Sequence, residues 1–241
     1  AEFTVTTLFI SDLHLDDRRP DATEAFLAFL EQEAANAEAL YILGDLFEYW
    51  LGDDAPTPVG QTVAPALRAV AESGVPIAFT HGNRDFLLGE RYAEAAGMTL
   101  LPEEHVIDLY GAPTLLLHGD TLCTDDVEYQ QVRTMLRNPD WQAEFLKKSP
   151  QERVQAALQA REMSAEHKDG VSMEIMDVNA GAVEDALARH GLRHMIHGHT
   201  HRPAVHETGG HQRVVLGDWY DQGSVLMISP DGLELDALPY A

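Results

Sequence analysis

A chain of 241 residues that is 45% hydrophobic can bury the core of one large domain, or of one domain with a modest insert, which excludes a disordered chain. Forty acidic residues against 16 basic ones give a formal net charge of −24, which repels phosphate backbones and excludes nonspecific nucleic-acid binding. The single Cys123 excludes an internal disulfide framework and fits a reducing compartment, no apolar run is long enough to span a bilayer, and the opening AEFTVTTLFISDLHL does not read as a secretory leader.

Residues 5–10, VTTLFI, form a short apolar run that ends in SDLHL. A helix is predicted over 21–35, opening at Asp21 as its cap and placing Phe26, Leu27, Phe29 and Leu30 on one face. Residues 39–43, ALYIL, run into GDLFE, and a second helix over 60–73 carries Val63, Leu67 and Val70. Residues 75–80, VPIAFT, run into HGNRDF, and 114–117, TLLL, run into HGD. Three helices are predicted at 125–136, 140–147 and 150–167. They form an insert, 124–179, expected to cap a core made of 1–123 and 180–241. Residues 192–196, LRHMI, then run into HGHTH. The remaining runs, RVVLGDW, SVLMIS and LELDAL, are expected to be strands of a second sheet packed on the first. Strand alternating with helix implies a layered α/β fold.

Each of the five main apolar runs ends in groups that bind metals: Asp12 and His14, Asp45, Asn83, His118, and His199 with His201. Strand ends are where a sheet gathers such groups. Taken singly, a GD or GN is as often only a turn, and a lone histidine is more often a satisfied polar residue. Five such clusters, each following an apolar run, point to a metal site. Seven ligands exceed what one zinc takes and fit two ions sharing a carboxylate, for which Asp45 is the natural bridge. Mixed His, Asp and Asn donors suit Mn²⁺, Fe²⁺ or Zn²⁺ better than calcium or magnesium.

The set DLH (12–14), GD (44–45), GN (82–83), His118 and GHTH (198–201) resembles the calcineurin-like metallophosphoesterase superfamily. The resemblance implies a four-layer αββα sandwich with two metals at the strand ends. It also implies that Asp12, His14, Asp45 and His201 hold one metal, and that Asp45, Asn83, His118 and His199 hold the other. His197 matches no ligand position and is read as structural.

At 81–86, HGNRDF, an arginine stands where many members carry a histidine that assists the leaving group. Arg84 stays protonated and cannot act as a general acid, but it can clamp a phosphate through two bonds. Such a site suits a good leaving group, so the sequence leans toward pyrophosphate hydrolysis. The longer strings YILGDLFEYWLGDD (41–54), HGNRDFLLG (81–89), HGDTLCTDD (118–126), IMDVN (175–179), IHGHTHRPAVHE (196–207) and LGDW (216–219) sharpen this. They resemble the branch of the superfamily that hydrolyses UDP-2,3-diacylglucosamine in the lipid A synthesis of Gram-negative bacteria. That resemblance implies two Mn²⁺ ions, attack on the α-phosphorus, and release of UMP and 2,3-diacylglucosamine 1-phosphate. It implies catalytic roles for Asp45 and Arg84, and substrate contacts from Asn83, Arg84, Asp126, Ser164, Lys168 and His199. Lys168 stands where relatives often have Asn, and Val171 where they have Lys, so Lys168 is expected to stand in for the missing lysine. The expected partners are the nucleotide-linked glycolipid and the cytoplasmic face of the inner membrane, met peripherally by a monomer.

The insert offers Met135, Leu136, Trp141, Phe145, Leu146, Val154, Leu158 and Met163 at roughly helical spacing, as ordinary helix packing or as a chamber for acyl chains. Two other readings compete with the lipid substrate. One is a general nucleotide pyrophosphatase or phosphodiesterase acting on a soluble compound. The other is a non-catalytic scaffold, which would be expected to lack several ligands. Across the chain the acids are scattered and only three bases are lysine, a pattern that fits a high-salt source, where ions screen like charges.

Overall fold

The computed structural model describes residues 6–168 and 176–240, with the side chains of 161 and 163–168 outside that description. The elements are β1 (Thr7–Ile10), α1 (Pro20–Gln32), β2 (Ala39–Ile42), α2 (Pro58–Glu72), β3 (Ile77–Phe79), α3 (Glu90–Ala96), β4 (Met98–Leu100), β5 (His105–Leu109), β6 (Ala112–Leu116), α4 (Val127–Leu136), α5 (Pro139–Leu146), α6 (Pro150–Lys168), α7 (Ala180–His190), β7 (His194–His197), β8 (Ala204–Thr208), β9 (His211–Val215), β10 (Gly223–Ser229) and β11 (Gly232–Leu238). They build two sheets, ordered β11-β10-β1-β2-β3-β4 and β5-β6-β7-β9-β8.

Three apolar layers make this a four-layer αββα sandwich. Phe26, Phe29, Val63, Leu67 and Tyr92 of α1–α3 cover the outer face of the first sheet. Phe9, Leu43, Leu116, Ile196, Val214 and Leu226 fill the space between the sheets. Ala186 and Leu187 of α7 cover Leu115 and Met195 on the outer face of the second sheet. All four residues of β1 are buried, as a central strand covered on both faces requires.

The C-terminal strands depart from expectation. They do not form one separate sheet: β9 joins the second sheet, where it pairs with β8, a strand not expected from the sequence, whereas β10 and β11 extend the first, with β10 antiparallel to β1. Nor do the five runs before the ligand clusters share a sheet, since β6 and β7 lie in the second. Helix α1 starts one residue earlier than predicted, at Pro20, so Asp21 is in its first turn instead of capping it. There its carboxylate still favours the positive helix end.

Helices α4–α6 match the three predicted helices within two residues at each end. Asp126 and Asn138 cap the first two. Phe145 is buried, and Trp141 stacks on it at 5.0 Å. The rest of the apolar stripe mostly faces out: Met135, Leu146, Val154 and Leu158 are exposed. No described helix is long and apolar enough to cross a membrane.

Candidate metal centre

The parallel strands β1, β2, β3, β6 and β7 all release their chains at one end of the sandwich, where the ligand clusters meet. Backbone hydrogen bonds tie these loops together: Asp12 N–H donates to Gly44 O at 3.0 Å, His14 N–H to Asp45 O at 2.9 Å, and Gly198 N–H to His118 O at 2.8 Å. The turns are tight. Asp12, His14, Asp45, His199 and His201 all have positive φ, between 48° and 70°, and among the described residues the one other non-glycine case is Tyr110. Each such residue costs roughly 1–3 kcal/mol and persists where the surroundings over-determine it. Crowding also explains the motif glycines. A Cβ on Gly82 would overlap Asp45 Oδ1, and one on Gly198 would overlap Asp12 Oδ2.

The seven donors converge. Asp45, 1% exposed, points Oδ2 to 3.6 Å from both His14 Nε2 and His118 Nε2. On one side, His201 Nε2 is 3.3 Å from Asp12 Oδ1 and 3.3 Å from His14 Nε2. On the other, Asn83 Oδ1 is 3.0 Å from His118 Nε2 and 3.0 Å from His199 Nδ1. His118 Nδ1–H donates to Leu43 O at 2.8 Å, leaving Nε2 as the inward lone pair. The donors fit divalent ions. Asp12 Oδ1 is buried without a hydrogen-bond partner, a costly arrangement that a cation relieves. Asp12, His14 and His201 form one cluster able to hold an ion, and Asp12, Asp45 and His118 a second.

Electrostatics follow from burying opposite charges together. Burial pushes the Asp45 carboxyl up to about 6, against the pull of His118 and His14. Burial pushes His118 down, but Asp45, Asp12 and Asp120 outweigh it and raise it to about 9. Burial, with His118 beside it, lowers His199 to about 3. His197, read as structural, commits both ring nitrogens to protein partners. It is fully buried, donates Nδ1–H to Gly198 O at 2.8 Å and accepts from Arg213 Nη1 at 3.0 Å.

The remaining predicted residues divide. Arg84 donates its backbone N–H to Asp45 Oδ1 at 2.8 Å and keeps a partly exposed guanidinium at the mouth of the centre. Asp126 accepts from Tyr129 N–H at 3.0 Å as the cap of α4. Ser164 and Lys168 lie on α6 with side chains outside the described residues, and Val171 is outside them altogether.

Several neighbours went unread in the sequence. Asp85 is fully buried and accepts from the backbone N–H groups of Asp45 (3.2 Å), Leu46 (2.7 Å), Phe47 (3.3 Å) and Gly82 (2.9 Å), which fixes two of the loops at once. Its place directly after GNR was the one available signal. Tyr220 stacks on His14 at 5.2 Å, and Arg137, at the C-terminal cap of α4, donates to Gly82 O at 2.9 Å.

A double sheet that brings two carboxylates, four imidazoles and an amide to one buried rim has the architecture of a metallophosphoesterase, with the donor set of a divalent-metal centre. The family profile described as calcineurin-like phosphoesterase matches residues 5–203, and the chain belongs to that family. It is 54% identical over 245 residues to the UDP-2,3-diacylglucosamine hydrolase of Stenotrophomonas maltophilia (strain K279a), covering 97% of this chain and 99% of that one. It is 54% identical over 245 residues to the protein of that name from Xanthomonas axonopodis pv. citri (strain 306), covering 97% and 99%. The protein of that name from Serratia proteamaculans (strain 568) is 52% identical over 240 residues, covering 98% and 100%. An archaeal phosphodiesterase structure shares the fold at a TM-score of 0.50 and 12% identity, covering 97% of this chain and 100% of that one.

Proposed function

We propose that this chain hydrolyses the pyrophosphate of UDP-2,3-diacylglucosamine. Water attacks the α-phosphorus, and the products are UMP and 2,3-diacylglucosamine 1-phosphate. The observation that carries this reading is 54% identity over 97% of the chain to a hydrolase of that substrate, in a protein that retains all seven donors.

In this reading Asp12, His14, Asp45 and His201 hold one Mn²⁺, and Asp45, Asn83, His118 and His199 the other. Bound there, the two ions supply Lewis acidity toward the phosphoryl oxygens and lower the pKa of water. The chain's own groups do the rest. Asp45 joins the two halves of the centre through Oδ2 while Oδ1 holds the backbone of Arg84. The Arg84 guanidinium clamps the pyrophosphate and stays protonated throughout. No general acid is needed at that position, because the departing sugar phosphate is a good leaving group with a second pKa of about 6. His199 and Asn83 also face the substrate phosphates, and Asp126, Ser164 and Lys168 contact the substrate from the cap, 124–179.

The acyl chains lie against the cap. A groove of about 330 Å³ runs between core and α6, lined by Tyr49, Leu51, Val154, Ala157 and Leu158 beside Asp16, Asp17 and Arg18. Each methylene buried there contributes about 0.8 kcal/mol. The exposed Val127, Val132 and Met135 of α4 offer further apolar surface to the cytoplasmic face of the inner membrane, which a monomer meets peripherally.

The test is to incubate the protein with Mn²⁺ and UDP-2,3-diacylglucosamine, beside UDP-N-acetylglucosamine and a chromogenic phosphodiester. UMP release from the acylated substrate alone is expected. Equal cleavage of the soluble compounds would leave the centre intact and refute the lipid substrate.

A further inference from the structure

We propose that Glu48 is the positioning residue of the centre, fixing the ring of His14 with one carboxylate oxygen and tethering Arg84 with the other. The inference rests on the metal-centre reading above. Glu48 follows β2 in a loop whose backbone is locked to the His14 loop. His14 N–H donates to Asp45 O, Leu15 N–H donates to Leu46 O at 3.0 Å, and Glu48 N–H donates back to Leu15 O at 3.0 Å. That ladder aims the Glu48 side chain at the back of the His14 ring.

An imidazole binds a metal only through the nitrogen that carries no proton, so a ligand histidine needs an acceptor for its other nitrogen. Glu48 Oε2 accepts from His14 Nδ1–H at 2.8 Å. This holds the Nε2 lone pair toward Asp45 Oδ2 and Asp12 Oδ1, 3.6 and 3.8 Å away. The pair is well screened from water, with His14 3% and Glu48 17% exposed. Other histidines of the centre are held differently. A backbone carbonyl takes the proton of His118, and Asp218 stands 3.5 Å from His201 Nδ1, a looser contact. Glu48 Oε1 lies 3.7 Å from Arg84 Nη1. The same side chain therefore restrains a metal ligand and the phosphate clamp, which binding of a pyrophosphate would otherwise have to order.

The experiment is a titration of metal-stripped protein with Mn²⁺ alone, read by the free-ion signal in electron paramagnetic resonance. Glu48→Ala should weaken Mn²⁺ binding by about 10- to 100-fold, the usual effect of losing a carboxylate behind a ligand histidine. Glu48→Gln keeps an acceptor oxygen and should bind within a few-fold of wild type. Glu48→Asp keeps the charge on a shorter arm and should weaken binding as the alanine variant does, providing a second test if alanine fails to fold. Wild-type affinity in the alanine or aspartate variant would overturn the role of Glu48. So would a loss in Glu48→Gln equal to that in Glu48→Ala. A wild-type protein that takes up no Mn²⁺ is a different result, and it would overturn the metal-centre reading itself.

Discussion

Asp45 joins the two halves of the centre, so a change of one atom there tests the whole arrangement. In Asp45→Asn, Oδ1 can still accept from Arg84 N–H while the negative charge at Oδ2 is lost. Since changes one shell further out cost 10- to 100-fold, activity should fall by more than about 100-fold while the melting temperature of the stripped protein holds. A near-normal rate would refute the bridging role. The centre also makes a pH prediction. The folded-state values of Asp45 and His118 both lie above their unfolded values of 3.8 and 6.5. Their contributions to the stability of metal-free protein are present at low pH. They are lost as pH rises, through about 6 for Asp45 and about 9 for His118. Metal-stripped protein should therefore melt lower near pH 9 than near pH 7. Loading with a divalent ion should release protons and reverse that trend, because the ion binds deprotonated ligands. Thermal melts with and without chelator across this range decide it; matching slopes would show that the ion does not compete with these protons.

At the scale of elements, α6 is tied to the loop after β2 through a buried cation. Arg153 of α6 is 1% exposed and donates Nη1–H to Leu51 O at 2.5 Å and to Asp54 Oδ1 at 2.7 Å, Nη2–H to Asp54 Oδ2, and Nε–H to Lys148 O at 3.0 Å. The partners are unequal, since Asp54 is 52% exposed. Removing Asp54 strands a buried guanidinium, whereas removing Arg153 returns a carboxylate to water. Asp54→Ala should thus cost about 3 kcal/mol and Arg153→Met about 1 kcal/mol, measured by urea unfolding. The reverse order would show that packing, not charge, fixes α6. Elements also mark the limit of what the sequence disclosed. The strands ahead of DLH, GD, GN and GHTH were legible because each apolar run is short and is followed within two residues by a glycine or a ligand. Helix α3 and strands β4 and β5 were not, because residues 86–109 mix apolar and charged residues without a sustained period. The pairing of β10 with β1 joins residues more than 200 apart, such as Thr7 and Ile228, and nothing local encodes it. At the centre all seven donors were legible as motif residues. Glu48, Asp85 and Tyr220 were not, because each acts on a donor from another loop and the contact exists only once the loops are packed.

For the whole molecule, charge decides the response to salt. Sixteen bases can neutralise at most sixteen of forty acids, so the remaining carboxylates have no cationic side chain left to meet. Salt acts in two opposing ways. It weakens exposed ion pairs such as Arg68–Glu72, at 2.9 Å, and Lys147–Glu144, at 2.5 Å, but such pairs contribute only about 0–1 kcal/mol each. It also relieves repulsion among the unmatched acids, which favours the compact state. With a net charge of −24 the second effect should win. Raising KCl from about 0.1 M to about 1 M shortens the screening length from about 10 Å to about 3 Å, less than most separations between surface charges. The melting temperature should rise steadily over that range, in a buffer of fixed pH and fixed metal loading. Most of the gain should come at the low-salt end, where the screening length changes fastest. A melting temperature that is flat or falls would mean that the exposed ion pairs outweigh the excess charge, and that the acidic surface is no adaptation to salt.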